Sequence, residues 1–116
     1  MKILITEEQY NKIVEGFVKF PVDKDINLEV YEDENKLELT NVVIPKELRG
    51  QGMGTQIMRM VVNYSNQVNK PIYLTPDTSF GGTSIDRLKR FYKRFGFKKN
   101  KDYEVSHSMV RYPDTL

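Results

Sequence analysis

Between residues 37 and 75 the chain runs through a strand, a glycine-rich turn, a long amphipathic helix and a second short strand, and few folds accept that succession. Leu37 and Leu39 alternate with polar residues, as on a half-buried strand, and the pattern then becomes the continuous apolar run Val42-Val43-Ile44. Such a switch suits a strand whose far end is covered on both faces, as parallel neighbours are. Asn41, at the switch, is the expected place for a bulge. Gly50, Gly52 and Gly54 give the turn three glycines in five positions. A helix is predicted from about Gly52 to Val68, with Ile57, Val61, Tyr64 and Val68 as its apolar stripe. Pro71 to Thr75 reads as the second strand, stopped by Pro76. A strand–helix–strand unit of this length closes by a right-handed crossover, so its two strands lie parallel.

The flanking segments complete an α+β pattern. Thr6 and Gln9 have capping-box spacing, and Tyr10, Ile13, Val14 and Phe17 follow a helical stripe, so a helix is predicted over 6–17. A connector with Pro21 follows, then a strand carrying Ile26, Leu28 and Val30, then a polar hairpin turn over 32–36. After Gly81-Gly82, Thr83 or Ser84 caps a helix whose apolar side is Leu88, Phe91, Tyr92 and Phe95. Gly96 is placed as its left-handed stop and Phe97 as the apolar contact beyond it. Residues 103–112 alternate as a last strand. The predicted order is α-β-β-α-β-α-β on a mixed, mostly antiparallel sheet of about five or six strands. At 116 residues the chain is expected to form one domain, 1–116.

Composition removes several chemistries. With no cysteine, disulfides, thiolate metal sites and cysteine nucleophiles are excluded. His107 is the one histidine, so a multi-histidine metal centre is excluded and no metal is expected. No apolar run reaches the roughly 20 residues of a spanning helix, and the start lacks a signal-peptide pattern, so a cytoplasmic protein without membrane partners is expected. Charge is unevenly spread. Residues 1–40 hold ten acids against five lysines, whereas residues 86–101 hold eight basic residues against Asp86. A basic second half suits an anionic ligand, and it equally suits a solvated helix face. The run Lys93-Arg94-Phe95-Gly96-Phe97-Lys98 is near an RNA-binding pattern but lacks its first glycine and sits at a helix end, so no nucleic-acid partner is expected.

The turn at 49–54 is the sharpest chemical signal. Glycine admits positive φ and lets an anion approach the backbone, while the helix start offers free N–H groups and a positive dipole end. Arg49 adds a cationic fork. A nucleotide P-loop is excluded because Gly54-Thr55-Gln56 lacks the lysine it needs, and a dinucleotide fingerprint because the glycine spacing and the distal acid are absent. An R/Q-x-x-G-x-G/A turn is matched at every position by Arg49, Gly52 and Gly54.

Here the chain resembles the GNAT acetyltransferases. Residues 42–54 are similar to the family's strand and pyrophosphate loop, residues 88–97 to its tyrosine four residues before Gly-Phe, and residues 109–113 to its closing strand. The resemblance implies a small N-acetyltransferase that moves an acetyl group from acetyl-CoA, its co-substrate, to a primary amine such as a protein lysine. It implies that Arg49, Gly50, Gln51, Gly52, Met53, Gly54 and Thr55 hold the CoA pyrophosphate, and that Val43 and Ile44 pair with the pantetheine arm. It makes Tyr92 the general acid, against a plain core role suggested by its place beside the Leu88, Phe91, Phe95 stripe. Glu38 is the first choice of general base, with His107 and Asp77 as other options. Two departures stand out: only residues 1–25 remain to frame the acceptor, and Ser84-Ile85 replaces the family's usual asparagine. An open cleft for a protein substrate follows, towards which Glu29, Glu32, Asp33 and Glu34 would steer a basic surface. The alternative is a non-catalytic acyl-CoA-binding or protein-interaction module on the same fold.

Overall fold

Six strands make one sheet in the order β1-β2-β3-β4-β6-β5. They are β1 (Gly16–Val18), β2 (Asn27–Glu32), β3 (Leu37–Val43), β4 (Ile72–Leu74), β5 (Lys98–Lys99) and β6 (Met109–Arg111). The structure, a computed structural model, describes residues 15–77 and 84–114. Every neighbouring pair of strands is antiparallel except β3 and β4. The molecule therefore consists of two antiparallel halves, β1-β2-β3 and β4-β6-β5, joined along one parallel seam. That seam is short, pairing Leu37 with Ile72, Glu38 with Tyr73 and Leu39 with Leu74.

Among the described residues there are two helices, α1 (Met53–Val68) and α2 (Ile85–Lys93). Ile57, Met58 and Val61 of α1 are buried against Leu37, Leu39, Ile72 and Leu74. Alternation on the strands presents these residues to one face, and each is worth about 1.5–3 kcal/mol on burial. Phe91, Tyr92 and Phe95 of the second helical segment pack at the margin of the same cluster. Ser84 caps α2 by accepting the Arg87 amide at 3.2 Å. At the other end Gly96 adopts φ 91°. The Phe97 amide reaches the Tyr92 carbonyl at 3.3 Å and the Gly96 amide the Lys93 carbonyl at 3.0 Å. This is a Schellman stop, and its apolar contact is the Tyr92 ring, 5.7 Å from that of Phe97.

A buried polar clip fixes the β2–β3 hairpin to the end of α1. Lys70 Nζ donates to Glu32 Oε2 at 2.7 Å and to the Asp33 carbonyl at 2.9 Å, while the Tyr64 hydroxyl donates to the other Glu32 oxygen. Glu32 is thus an interior structural carboxylate and Asp33 is held by Lys36 at 2.6 Å, which removes both from the acidic hairpin expected to steer a basic surface.

Three local expectations are corrected. The helix predicted over 6–17 does not reach its end: Gly16, at φ 132°, opens strand β1, and Phe17 packs edge-on against Tyr31 at 5.4 Å. The rest of that prediction lies outside the described residues. The strand predicted over 103–112 shrinks to β6, because Asn100 Nδ2 donates to the carbonyls of Asp102, Val105 and His107 and folds the preceding segment into a loop. The bulge falls at Thr40 instead of Asn41: Glu29 pairs with Asn41 and Val30 with Leu39, leaving Thr40 as the extra residue. Its hydroxyl donates to the Glu29 carbonyl at 3.2 Å.

Candidate active site

The bulge coincides with the end of the parallel seam. After Leu39 and Leu74 the two strands part, and β3 continues to Val43 paired only with β2. The gap is a cleft of about 370 Å3 counted out to its mouth, lined by Leu39, Thr40, Asn41, Val42, Leu74, Thr75, Asp77 and Tyr92. Among the described residues no strand lies beside the edge of β3 that faces the cleft at residues 40–43, an arrangement that accepts an extended amide-bearing chain.

The strand leads through a 3-10 turn (Lys46–Leu48) into the glycine turn. Arg49 Nε donates to the Ile44 carbonyl at 2.9 Å, and Gln51 Nε2 to that of Glu47 at 3.2 Å, so both side chains tie the loop back on itself. Gly50 and Gly52 take φ 79° and 74°, which favours glycine at both positions. Gly52 is the N-cap of α1, and no side chain caps that end. The first intrahelical bond runs from the Gln56 amide to the Gly52 carbonyl at 3.1 Å, so the amides of Met53, Gly54 and Thr55 have no helical acceptor. The turn therefore fits an anion such as a pyrophosphate. Within it, Met53 and the nearby Ile44 turn their side chains to the core. Gly54 has a packing role: a Cβ there would lie 3.3 Å from Phe91 Cζ. The lack of a side chain at Gly54 thus brings the turn against the helix that carries Tyr92.

Tyr92 is half-buried, lines the cleft and packs between Phe91 and Phe97. Burial pushes its phenol above the ordinary value, so the side chain stays protonated well beyond neutral pH. Core packing and cleft lining are both met by this one residue. On the outer side of α2, Arg87, Arg90 and Arg94 surround Phe91, with the Arg94 guanidinium 5.4 Å from its ring centre.

Glu38 does not line the cleft with Tyr92. Its carboxylate lies 3.6 Å from His107 Nε2, and His107 Nδ1 lies 3.1 Å from Thr75 Oγ1, which does line it. Two of the base options therefore belong to one chain of groups, while Asp77 lies in the cleft. Thr75 was not singled out from sequence. The signal in the sequence is its place directly before Pro76, where the second strand is expected to stop.

Among the described residues there is no cluster of three or more metal-ligating side chains, and no helix is long and apolar enough to cross a membrane. Comparison with known proteins places this geometry. The profile of the Acetyltransferase (GNAT) domain matches residues 2–99. Among solved structures the chain is similar to the anti-CRISPR protein AcrVA5, with 23% identity, TM-score 0.62, and coverage of 82% of this chain and 97% of the other. It is similar to Ard1 from Thermoplasma volcanium with 16% identity and TM-score 0.51, over 76% of this chain and 64% of that one. A structure from Agrobacterium tumefaciens aligns over 95% of this chain and 92% of its own, with 16% identity and TM-score 0.53. No curated protein matches the chain significantly. With 98 of its 116 residues inside the matched domain, the chain belongs to the GNAT acetyltransferase family.

Proposed function

We propose that the protein transfers the acetyl group of acetyl-CoA to a primary amine, with a lysine on a protein surface as the preferred acceptor. The observation that carries this reading is the parting of β3 and β4 next to an uncapped helix start, with Tyr92 lining the gap. The amides of residues 53–55 take the pyrophosphate, assisted by the turn from Arg49 to Gly52. The open edge of β3 from residue 40 to Val43, with Ile44 beyond it, takes the pantetheine amides. Arg87, Arg90 and Arg94 draw the remaining phosphate by long-range attraction.

The reaction then needs a neutral amine and a protonated leaving group. An amine of pKa near 10.4 is mostly charged at neutral pH, so its proton must be removed; Glu38 supplies the negative charge on that side. As the C–N bond forms and the C–S bond breaks, Tyr92 gives its proton to the thiolate. A phenol kept neutral by burial is suited to that step.

The test is release of free thiol when the protein is incubated with acetyl-CoA and an amine, alongside calorimetry of CoA binding. Amine-dependent thiol release supports transfer. CoA binding with no release over a panel of basic peptides and small amines would make the protein a binding module instead.

A further inference from the structure

We propose that the proton of the incoming amine leaves through a relay of Thr75, His107 and Glu38, with the Thr75 hydroxyl as the group that meets the substrate. The inference rests on the transfer reading above and names its base. Three contacts define it. Thr75 Oγ1 accepts the Ser108 amide at 3.2 Å, and lies 3.1 Å from His107 Nδ1. His107 Nε2 lies 3.6 Å from Glu38 Oε1. With an amide already donating to it, the hydroxyl directs its own hydrogen to Nδ1, and the imidazole then carries its proton on Nε2, facing the carboxylate.

The fold holds this chain in place. Thr75 directly follows β4, beyond the last seam pair, so it stands at the apex of the cleft. Asn100 Nδ2 donates to the His107 carbonyl at 2.8 Å, and the His107 amide reaches the Val105 carbonyl at 2.9 Å, which fixes the loop that presents the ring. Glu38 is flanked across the strands by Tyr31 and Tyr73, and its charge is shared with Lys36, which also feels Asp102. His107 and Glu38 have side chains 20% and 28% exposed, open enough to return a proton to solvent.

The proton count closes. The ammonium passes a proton to Thr75 Oγ1 as Thr75 passes its own to His107 Nδ1, leaving an imidazolium beside Glu38. The neutral amine attacks the thioester carbon, the C–S bond breaks, and Tyr92 protonates the thiolate. The proton released from nitrogen restores the phenol, and His107 discharges to solvent. Thr75 is catalytic by contact with the amine, while His107 and Glu38 act through it as positioning and accepting groups.

Two measurements test this. Because His107 is the one histidine, a 15N-labelled sample gives a single imidazole to assign. The expected state of the neutral ring has the proton on Nε2, and Thr75→Val removes that preference. A ring protonated on Nδ1 overturns the relay whether or not the protein turns over. In the thiol assay, His107→Gln and Thr75→Val each lower kcat about 10²-fold with CoA affinity unchanged, Thr75→Ser retains activity, and the double variant falls no further than either single one. Activity equal to wild type in His107→Gln, or losses that multiply in the double variant, overturns it. Acetyl found covalently on Thr75 does so too, since the hydroxyl would then be a nucleophile. A wild-type protein that binds CoA without turnover defeats the transfer reading itself, and the relay with it.

Discussion

Two glycines two residues apart illustrate how one residue type serves different ends. Gly52 holds φ 74° with open space where a Cβ would stand, whereas Gly54 has an ordinary φ and Phe91 at 3.3 Å. Gly52→Ala is expected to cost about 1–2 kcal/mol of backbone strain and to weaken CoA binding, because the helix start must reorganise. Gly54→Val is expected to destabilise by about 1–3 kcal/mol through overpacking, and Phe91→Leu beside it to restore part of that loss. Calorimetry with CoA and chemical denaturation of the four proteins would separate the two roles. The motif was readable in the sequence, but Gly54's reason was not, since its neighbour lies 37 positions away along the chain. Tyr92 offers a second measurement. Tyr92→Phe is expected to keep the fold and lower kcat by roughly 10- to 10³-fold. Burial raises the phenols of Tyr92 and Tyr73, so both stay protonated in the folded chain at a pH where the unfolded chain ionises them. Stability is thus full below about pH 10 and falls as pH rises past it. Denaturant titrations at pH 8 and pH 11 should show the fall, and it should be smaller for Tyr92→Phe.

Elements were legible where their signals were local. The start of α1, expected at about Gly52 and found at Met53, the cap, expected at Thr83 or Ser84 and found at Ser84, and the expected Gly96 stop each depend on residues within one turn. Pairing partners were not local, and there the sequence misled. The alternation over 103–112 resembles a strand, yet three hydrogen bonds from the Asn100 side chain outcompete ladder pairing for much of it. Phe17 continues a helical stripe in sequence, yet with Gly16 and Val18 it pairs with β2 as a strand. The clip of Glu32, Tyr64 and Lys70 is invisible in the sequence for the same reason, because Glu32 lies 32 positions from Tyr64 and 38 from Lys70. Its loss should be costly. Lys70→Met leaves the Glu32 carboxylate buried without its cation, and about 3–5 kcal/mol of stability is expected to go with it. A denaturation midpoint unchanged from wild type would show that the hairpin does not need the clip.

Across the whole molecule the sheet order follows from two helix-bearing crossovers, through α1 between β3 and β4 and through α2 between β4 and β5, with β6 returning between β4 and β5. The first is the pattern from which the fold class is readable before any contact is known. The proposed acceptor preference belongs to this scale. An open cleft suits a lysine that enters alone from a protein surface, and a small amine has fewer remote contacts to contribute binding energy. A basic peptide is expected to show higher kcat/KM than a polyamine, though with a modest salt dependence, since Glu32 is buried and Asp33 is occupied by Lys36. Equal kcat/KM for both acceptors would count against the protein-lysine preference. The seam carries a further consequence. Three residue pairs are a small join between two antiparallel halves, so transient separation there is a cheaper excursion than global unfolding. Backbone amides that bond across the seam, such as that of Leu37 to the Pro71 carbonyl, should accordingly exchange with deuterium sooner than the β3 amides that bond to β2, whose ladder is twice as long. A ligand lying in the gap binds only the closed arrangement. At 100 times its Kd, CoA should therefore slow exchange at the seam about 100-fold, equivalent to about 2.7 kcal/mol, and leave β1 at the outer edge exchanging as before.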